Sequence, residues 1–499
     1  MNNRKLVLQF VSIFLCLLPL IYPIAWNDNE FNYFGIAKHN IDPNPYSQLY
    51  AAYNGQFSRV VSDFTMGVFV KFLGFDNAWI VLRFVGLVGL SLVFTIFVNV
   101  LEISVIPCAA ALLIFDGLGQ TYFGAEWLFR GIEPKIFAYI FILIGFIYAY
   151  KNKLSVAIIY FALATYFHFL VGGFWSFAIF IYVYLANGFN KALIHKLCFY
   201  VISIAPLLAF LVYDNLSLPP PDTNGFSQTI DQIYSTIRNP HHVAPFDGDK
   251  LRSGWFRGWF YILLDMSILY VFYTSKCIYL RHRNFVLWTI LLHAYLVIAI
   301  FIAYFDRYTQ LLGKFYLFRP AALIFLLTLL IYCDIAFHYV SKIKLLNYAL
   351  PVILAFFIAK PIYTGLTLDN LLSISKLYDL LTDDEKIVVG WLKNNTEDSN
   401  IILFEEGYNG SFSTESFEQL VGRPSLVNWK FVPTTKYAIA RWYHLMLLKR
   451  AAYSGECSAF QQLPAKYYIS FTESSNLNLN HCAKKAFSIG KYNIFNLQG

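Results

Sequence analysis

Charged residues are scarce in this chain, since Asp, Glu, Lys and Arg make up 14% of its 499 residues. Average soluble globular proteins contain roughly 25%. Hydrophobic residues reach 58%, and the mean hydropathy is +0.52. This composition excludes an ordinary soluble protein and predicts an integral membrane protein with a soluble part. The net charge of +8 does not require nucleic acid as a partner. In multi-span proteins, basic residues collect on cytoplasmic turns and near lipid phosphates.

The seven cysteines include no CxxC motif and no Cys/His spacing that would indicate zinc. Five lie in apolar runs, where we expect them to pack as small hydrophobic residues: Cys16, Cys108, Cys198, Cys277 and Cys333. Cys457 and Cys482 could form one disulfide if their region is exported, and the sequence leaves this open. The tandem His241 and His242 suggest metal only weakly. A divalent metal stays open, but we predict no metal and no other cofactor.

A signal-peptide cleavage site and internal repeats are also lacking. Arg4 and Lys5 precede a long apolar run, as in a secretory signal. No small-x-small site precedes Trp26, and the run is long for the apolar part of a signal peptide. We therefore predict an uncleaved first membrane span.

Apolar stretches of bilayer-crossing length, or nearly so, recur along the chain. They fall at roughly 6–25, 78–100, 103–118, 135–150, 154–169, 171–188, 197–213, 255–275, 285–304, 318–340 and 346–363. This pattern predicts a polytopic α-helical membrane protein with about eleven transmembrane helices.

Lysine and arginine lie in alternate connections between these stretches, which predicts that these connections and the N-terminus are cytoplasmic. The opposite face then receives 26–77, 119–134, 214–254, 305–317 and everything after about residue 364. We therefore predict a transmembrane domain over 1–363 whose long loops, 26–77, 119–134 and 214–254, lie on the external side of the membrane.

The region 364–499 has a different character and predicts an external domain of about 130 residues, a size that can bury its own core. Thr382 and Glu385 form a capping signal before an amphipathic helix. The stretches "NIILF", "RPSLVNWKFVP" and "KYYISF" are typical of strands. We expect a small α/β domain.

Charged residues cluster at the predicted external ends of the spans. They are Asp28, Glu30, Asp63, Arg83, Glu126, Arg130, Glu133, Lys135, His168, Asp306, Arg307, Lys314 and Arg319. Because ionisable groups at membrane depth face the protein interior or a wet cavity, we expect them to converge on one cavity. Arginine and lysine suit phosphate, carboxylates suit deprotonating a hydroxyl, and the many neighbouring aromatic rings offer faces for sugars or prenyl chains. The pattern favours group transfer from a lipid-linked phosphate donor to a hydroxyl acceptor.

Each candidate also has a structural interpretation. Asp28 and Glu30 can be the solvated end of a span, and Glu126 and Arg130 can be a salt bridge four residues apart on a helix. His168 can be a hydrogen-bonded interior histidine. Arg319 can extend to the interface, and Trp429 and Lys430 can serve the fold of their own domain.

Four ordered motifs support a family resemblance. They are "NEFNY" with Glu30 and Tyr33; "EPKIFAY" with Glu133, Lys135 and Tyr139; "FHFLVGGFW" with His168 and Trp175; and "RPSLVNWKFVP" with Arg423, Trp429 and Lys430. The chain resembles the GT-C superfamily of membrane glycosyltransferases, which includes protein O-mannosyltransferases and aminoarabinose transferases. It is most similar to an uncharacterised bacterial multi-pass group of that superfamily. The group has an adjacent acidic pair, whereas here Asn29 separates Asp28 from Glu30.

The resemblance implies a catalytic carboxylate after the first span, a polyprenyl-phosphate-sugar donor and inversion at the anomeric carbon. Either Asp28 or Glu30 would be the base. Phosphate-binding residues would be Arg130, Lys135 and Arg319, and substrate-binding residues would be Tyr33, Glu126, Glu133, His168, Trp429 and Lys430. It also implies a bacterial inner-membrane location with a periplasmic or exoplasmic C-terminal domain.

The expected partners are a polyprenyl-phosphate-linked sugar, a lipid or glycan acceptor and membrane lipids, without nucleic acid. Three other functions stay open. One is a lipid-linked glycan transporter or flippase, for which no supporting internal repeat is visible. The others are an O-antigen polymerase or ligase and a catalytically inactive, glycan-binding GT-C relative.

Overall fold

The computed structural model describes residues 3–21, 26, 28–41, 59–123, 126–276, 278, 280, 282–343, 349–358, 377–405, 412–470 and 482–497. The helices up to residue 358 are α1 (Asn3–Ile21), α2 (Asp28–Ile41), α3 (Val60–Val100), α4 (Val105–Gly117), α5 (Pro134–Tyr150), α6 (Leu154–Phe167), α7 (Phe169–Asn187), α8 (Lys191–Ser217), α9 (Ile230–Gln232), α10 (Pro240–Val243), α11 (Asp249–Thr274), α12 (Arg283–Asp306), α13 (Ala321–Val340) and α14 (Ala349–Ile358). A π-helix (Ile233–Arg238) follows α9, and a 3-10 turn (Gly313–Phe315) precedes α13.

Six of the described helices are long and apolar enough to cross a membrane: α1, α3, α7, α8, α12 and α13. The protein is therefore a helical membrane protein, but the predicted number of eleven spans is not supported. The predicted spans at 103–118, 135–150 and 154–169 correspond to helices of 13, 17 and 14 residues. At 1.5 Å per residue these helices are about 20–26 Å long, whereas the hydrocarbon core is about 30 Å thick.

Two further predicted spans are also not among the helices that could cross a membrane. Helix α11 is 26 residues long but carries Arg257 and Asp265 along its apolar part. Helix α14, at 349–358, covers only part of the stretch predicted at 346–363. Helix α3, with 41 residues, is long enough to cross the membrane, although Gly74 interrupts it with a φ of 75°. That left-handed conformation favours glycine and produces the kink.

The helical core is built mainly by α3 and its neighbours. Helix α3 packs against α1, α2 and α5, while α5 packs against α6 and α4 against α13. Large apolar side chains such as Phe94, Phe115 and Leu330 are fully buried among these helices. The remaining helices present many exposed apolar side chains, as expected of surfaces that face lipid.

The C-terminal region contains α15 (Asp383–Asn395), β1 (Ile402–Phe404), α16 (Phe417–Val421), α17 (Lys436–Tyr453), α18 (Cys457–Gln462), β2 (Tyr467–Ser470), β3 (Lys484–Ile489) and β4 (Tyr492–Asn496). Its sheet has the order β1-β2-β4-β3, with β1 and β2 parallel and the other pairs antiparallel. Two sequence predictions are confirmed: the capping box at Thr382 and Glu385 before α15, and strands in "NIILF" and "KYYISF".

One strand prediction is wrong, and one open question is answered. In "RPSLVNWKFVP" the described backbone forms only a single bridge, between Ser425 and Ile402. The backbone carbonyl groups of this segment instead accept hydrogen bonds from side chains. The carbonyl oxygen of Asn428, for example, accepts one from the indole N–H of Trp442. Cys457 and Cys482 are joined by a disulfide that spans a sequence separation of 25 residues.

Candidate functional site

A polar cavity of about 1000 Å³ lies where the N-terminal ends of α2, α5 and α7 meet the C-terminal region. Further lining comes from the π-helix and from the turn before α13. Nine of the residues predicted from the sequence line it together: Tyr33, Glu126, Arg130, Glu133, Lys135, His168, Arg319, Trp429 and Lys430. These residues are spread over almost 400 positions of the chain, so their convergence is a product of the tertiary structure.

Glu126 stands at the centre of an ion-pair network. Its Oε1 lies 3.3 Å from Nε of Arg319 and 3.5 Å from Nδ1 of His242, and its Oε2 lies 4.0 Å from Nζ of Lys135. Burial by itself would raise the pKa of Glu126. The positive charges of Arg319 and His242 outweigh burial and lower that pKa below its ordinary value. Glu126 is therefore an anion that holds cations in place.

Glu133 and Lys135 are positioned by the start of α5. Glu133 occupies the N-cap position, and Pro134 begins the helix with a φ angle that suits its first turn. The Glu133 carboxylate lies 3.2 Å from Nζ of Lys135. It also accepts hydrogen bonds of 3.0 Å from Asn29 and 3.0 Å from the indole of Trp127. The sequence "EPK" thus places an acid and a lysine side by side at the cavity wall.

His168 lies at the N-cap of α7, where the chain turns sharply from α6. The turn requires Gly172, because a Cβ atom there would lie 2.2 Å from the backbone nitrogen of Thr165. Nε2 of His168 is 3.5 Å from Nη1 of Arg319. Burial, reinforced by the positive charge of Arg319, lowers the pKa of His168 well below its ordinary value. His168 is therefore a neutral imidazole beside a guanidinium.

Glu30 does not line the cavity, and its predicted role as a base stays a prediction. Its side chain is completely buried and forms a two-pronged ion pair with Arg83, one bond of which measures 2.8 Å. It also accepts hydrogen bonds from the indole of Trp79 at 3.1 Å and from the backbone N–H of Ile132 at 2.7 Å. Because Ile132 directly precedes Glu133, Glu30 positions the cavity wall instead of facing it. Asp28 begins α2, but its side chain lies outside the described part of the structure.

Four other charged residues from the sequence analysis also lie away from the cavity. Asp63 is buried within α3, and Arg83 is the partner of Glu30. Asp306 accepts hydrogen bonds from its own turn, and Arg307 stacks on Tyr304 and Tyr308. Local charge density therefore overstated the number of residues that reach one site.

The structure adds cavity residues that the sequence analysis did not single out, notably Arg59 and Arg238. The guanidinium of Arg59 lies 4.5 Å from the ring centre of Tyr33. Arg238 ends the π-helix and donates to the carbonyl oxygens of Trp429 at 2.5 Å and Lys430 at 2.7 Å. The unusual length of the loop 214–254 was the only sequence signal for Arg238.

No group of three or more His, Cys, Asp or Glu side chains that could hold a metal ion occurs in the part of the chain that the structure describes. Cations from Lys and Arg instead surround the cavity acids. Such an arrangement can hold an anion and can keep a carboxylate charged.

A scan against protein-family models finds no match to this chain, and a search of the curated proteins finds no relative.

Proposed function

We propose that the protein is a glycosyltransferase that moves a sugar from a polyprenyl-phosphate donor to a hydroxyl acceptor at the membrane surface. The observation that carries this proposal is the cavity itself, which combines carboxylates, Lys and Arg side chains and aromatic rings in about 1000 Å³. That volume is ample for a sugar with its phosphate. The neighbouring helices are apolar, so a prenyl chain could stay in lipid while its phosphate reaches the cavity.

The GT-C-like plan, the bacterial inner membrane and a cytoplasmic N-terminus belong to the same proposal. Under it, the basic connections face the cytoplasm, and the cavity opens on the periplasmic or exoplasmic side. The positive ends of the α2, α5 and α7 dipoles point at the cavity and favour anionic ligands there.

In the proposed reaction, the acceptor oxygen attacks the anomeric carbon while a carboxylate takes the hydroxyl proton. The bond between that carbon and the phosphate oxygen breaks, and polyprenyl phosphate leaves with the electron pair. With Glu30 held by Arg83, Asp28 becomes the proposed base, because Asn29 beside it lines the cavity and bonds to Glu133. Arg130, Lys135 and Arg319 would stabilise the charge that develops on the leaving phosphate.

The test is transfer by the purified full chain in lipid nanodiscs, with a radiolabelled polyprenyl-phosphate sugar and membrane-derived acceptors. We expect release of polyprenyl phosphate together with labelled product. Asp28→Asn should lower the rate by at least a hundredfold, the usual scale for a lost general base. Glu397→Gln, which neutralises an exposed acid outside the cavity, is the matched control.

Two results would contradict the proposal. Movement of the labelled lipid across the bilayer without release of polyprenyl phosphate would indicate a flippase. Binding of the donor without transfer, under all acceptors tried, would indicate a glycan-binding protein without catalysis. Full activity of Asp28→Asn with normal folding would remove Asp28 as the base but would leave the transferase proposal standing.

A further inference from the structure

A second polar cluster lies among the helices, outside the cavity lining. Asp265 on α11 and His293 on α12 both contact the hydroxyl oxygen of Tyr122, which lies in the segment after α4. His293 is fully buried near the middle of α12, one of the helices that are long enough to cross a membrane. Ionisable side chains at such a depth are costly, and they commonly mark a functional site.

Asp265 is surrounded by hydroxyl groups. No lysine or arginine in the described part of the chain forms an ion pair with it. The hydroxyl oxygen of Tyr122 lies 2.6 Å from its Oδ2, and Tyr332 of α13 donates to its Oδ1 at 2.9 Å. Among the described residues, Asp265 is also the only charged residue that acts electrostatically on His293 and Tyr332. The charge of the cluster therefore depends on its own protons.

The tautomer of His293 follows from the contact of its other ring nitrogen. Nδ1 lies 2.8 Å from the backbone carbonyl oxygen of Thr289, one turn earlier on α12. Because a carbonyl oxygen can only accept, Nδ1 carries a hydrogen and donates it. In a neutral imidazole, Nε2 then carries no hydrogen and is an acceptor.

Tyr122 therefore has one hydrogen for two neighbouring atoms. Its hydroxyl oxygen lies 2.6 Å from Oδ2 of Asp265 and 2.9 Å from Nε2 of His293, and both are hydrogen-bonding distances. With an ionised carboxylate and a neutral imidazole, the hydrogen would satisfy one contact, and the other would bring two lone pairs together. Thr328 does not remove this conflict, because its hydroxyl is 3.5 Å from Nε2 and donates to the carbonyl oxygen of Ile324 at 2.9 Å. One additional proton satisfies both contacts.

We propose that Asp265, Tyr122 and His293 form a proton-binding site that holds one proton at neutral pH. In its main form, Oδ2 of Asp265 carries this proton and donates it to the Tyr122 oxygen, while Tyr122 donates its own hydrogen to Nε2 of His293. Every group in this form is neutral, and a buried site favours neutral groups over a separated pair of charges.

The same contacts form a proton relay. The proton on Oδ2 of Asp265 can pass to the Tyr122 oxygen while the hydrogen of Tyr122 passes to Nε2 of His293. The products are an ionised carboxylate, an intact tyrosine hydroxyl and an imidazolium, so the number of protons and the total charge do not change. The relay would join Asp265, which is half-buried, to His293, which is fully buried.

The proton-binding site is also connected to the cavity wall. Tyr122 lies four positions before Glu126 in the chain, and α11 packs closely against it. A Cβ atom at Gly258 of α11 would lie 2.6 Å from the carbonyl oxygen of Tyr122. A change in the hydrogen bonds of Tyr122 would therefore act on the segment that leads to Glu126. The site does not depend on the proposed function, since it requires neither a sugar nor a phosphate.

The experiment records infrared spectra of the purified full chain in lipid nanodiscs at pH 7, where an aspartic acid in water is ionised. We expect the carbonyl band of a protonated carboxylic acid, which should be lost in Asp265→Asn. The band should shift in Tyr122→Phe, because the proton loses its acceptor. Asp306→Asn is the matched control, since the Asp306 carboxylate accepts from the Thr309 hydroxyl and from two backbone N–H groups and needs no proton. It should leave the band unchanged.

Nitrogen NMR of histidine-labelled protein shows separately whether the ring of His293 is charged, and His293→Gln assigns its signal. The carboxylic acid band and its loss in Asp265→Asn support the site in its main form. An imidazolium signal that disappears in His293→Gln, without the band, supports the site with the proton on Nε2. An ionised Asp265 together with a neutral His293 at pH 7 overturns the inference. If Asp265→Asn does not fold, the shift in Tyr122→Phe assigns the band, and a band that does not shift overturns the inference.

Discussion

The buried pair of Glu30 and Arg83 allows a sharp test of the position we assign to Glu30. Glu30→Gln keeps the size of the side chain but removes its charge, and it leaves the completely buried guanidinium of Arg83 without its carboxylate. Removing one partner of a buried ion pair typically costs about 3–5 kcal/mol. The variant also weakens the hydrogen bonds to Trp79 and Ile132. We therefore expect a large fall in the free energy of unfolding.

The measurement is equilibrium unfolding in mild detergent, with binding or transfer followed on the same samples. Asp28→Asn serves as the comparison, with an expected change in stability well below that of Glu30→Gln. The double variant Glu30→Gln with Arg83→Met should recover much of the lost stability, because it removes the uncompensated charge. If Glu30→Gln abolished transfer while its unfolding matched that of the wild type, Glu30 would be catalytic and our structural assignment would be wrong.

Two further predictions concern acid and reducing conditions. The folded-state pKa of Glu126 lies below its ordinary value, so its ion pairs contribute stability above about pH 4.3 and lose that contribution as the pH falls through the folded-state pKa. The stability difference between wild type and Glu126→Gln should therefore shrink as the pH is lowered below about 4, and a constant difference in unfolding between pH 3 and 6 would contradict the assignment. Replacing both Cys457 and Cys482 by Ser should lower stability by about 3–4 kcal/mol, as expected for a loop of this length. The exposed Cys198→Ser is the control, and an equal effect of reducing agent on wild type and the double variant would contradict a stabilising disulfide.

Features that depend on neighbouring residues were predictable from the sequence. The capping box of Thr382 and Glu385, the strand at Ile402–Phe404 and the start of α5 at Pro134 all follow from side chains within a few positions. The number of membrane spans was not predictable from the sequence. Apolar character alone does not distinguish a helix of 14 or 17 residues from one that is long enough to cross the membrane.

Glu30 shows why sequence position misleads about function. In the chain it lies two residues from Asp28 and looks equivalent to it. In the fold it meets Arg83, 53 positions away, and the backbone of residue 132, 102 positions away. Burial, the two-pronged arginine partner and the bond to the backbone before Glu133 are the observations on which we assign Glu30 to the support of the cavity wall.

By itself, the sequence determined that this is a helical membrane protein with a small C-terminal sheet, and that charged and aromatic residues gather at a few places along it. These properties follow from the composition and from patterns among residues close together in the sequence, which do not depend on how distant segments pack. Only the tertiary structure decided which of those residues share a cavity. Glu126 and Arg319 are 193 positions apart, and Arg238 and Trp429 are 191 positions apart. Their meeting depends on how helices and the C-terminal region pack, and no local pattern encodes that distance.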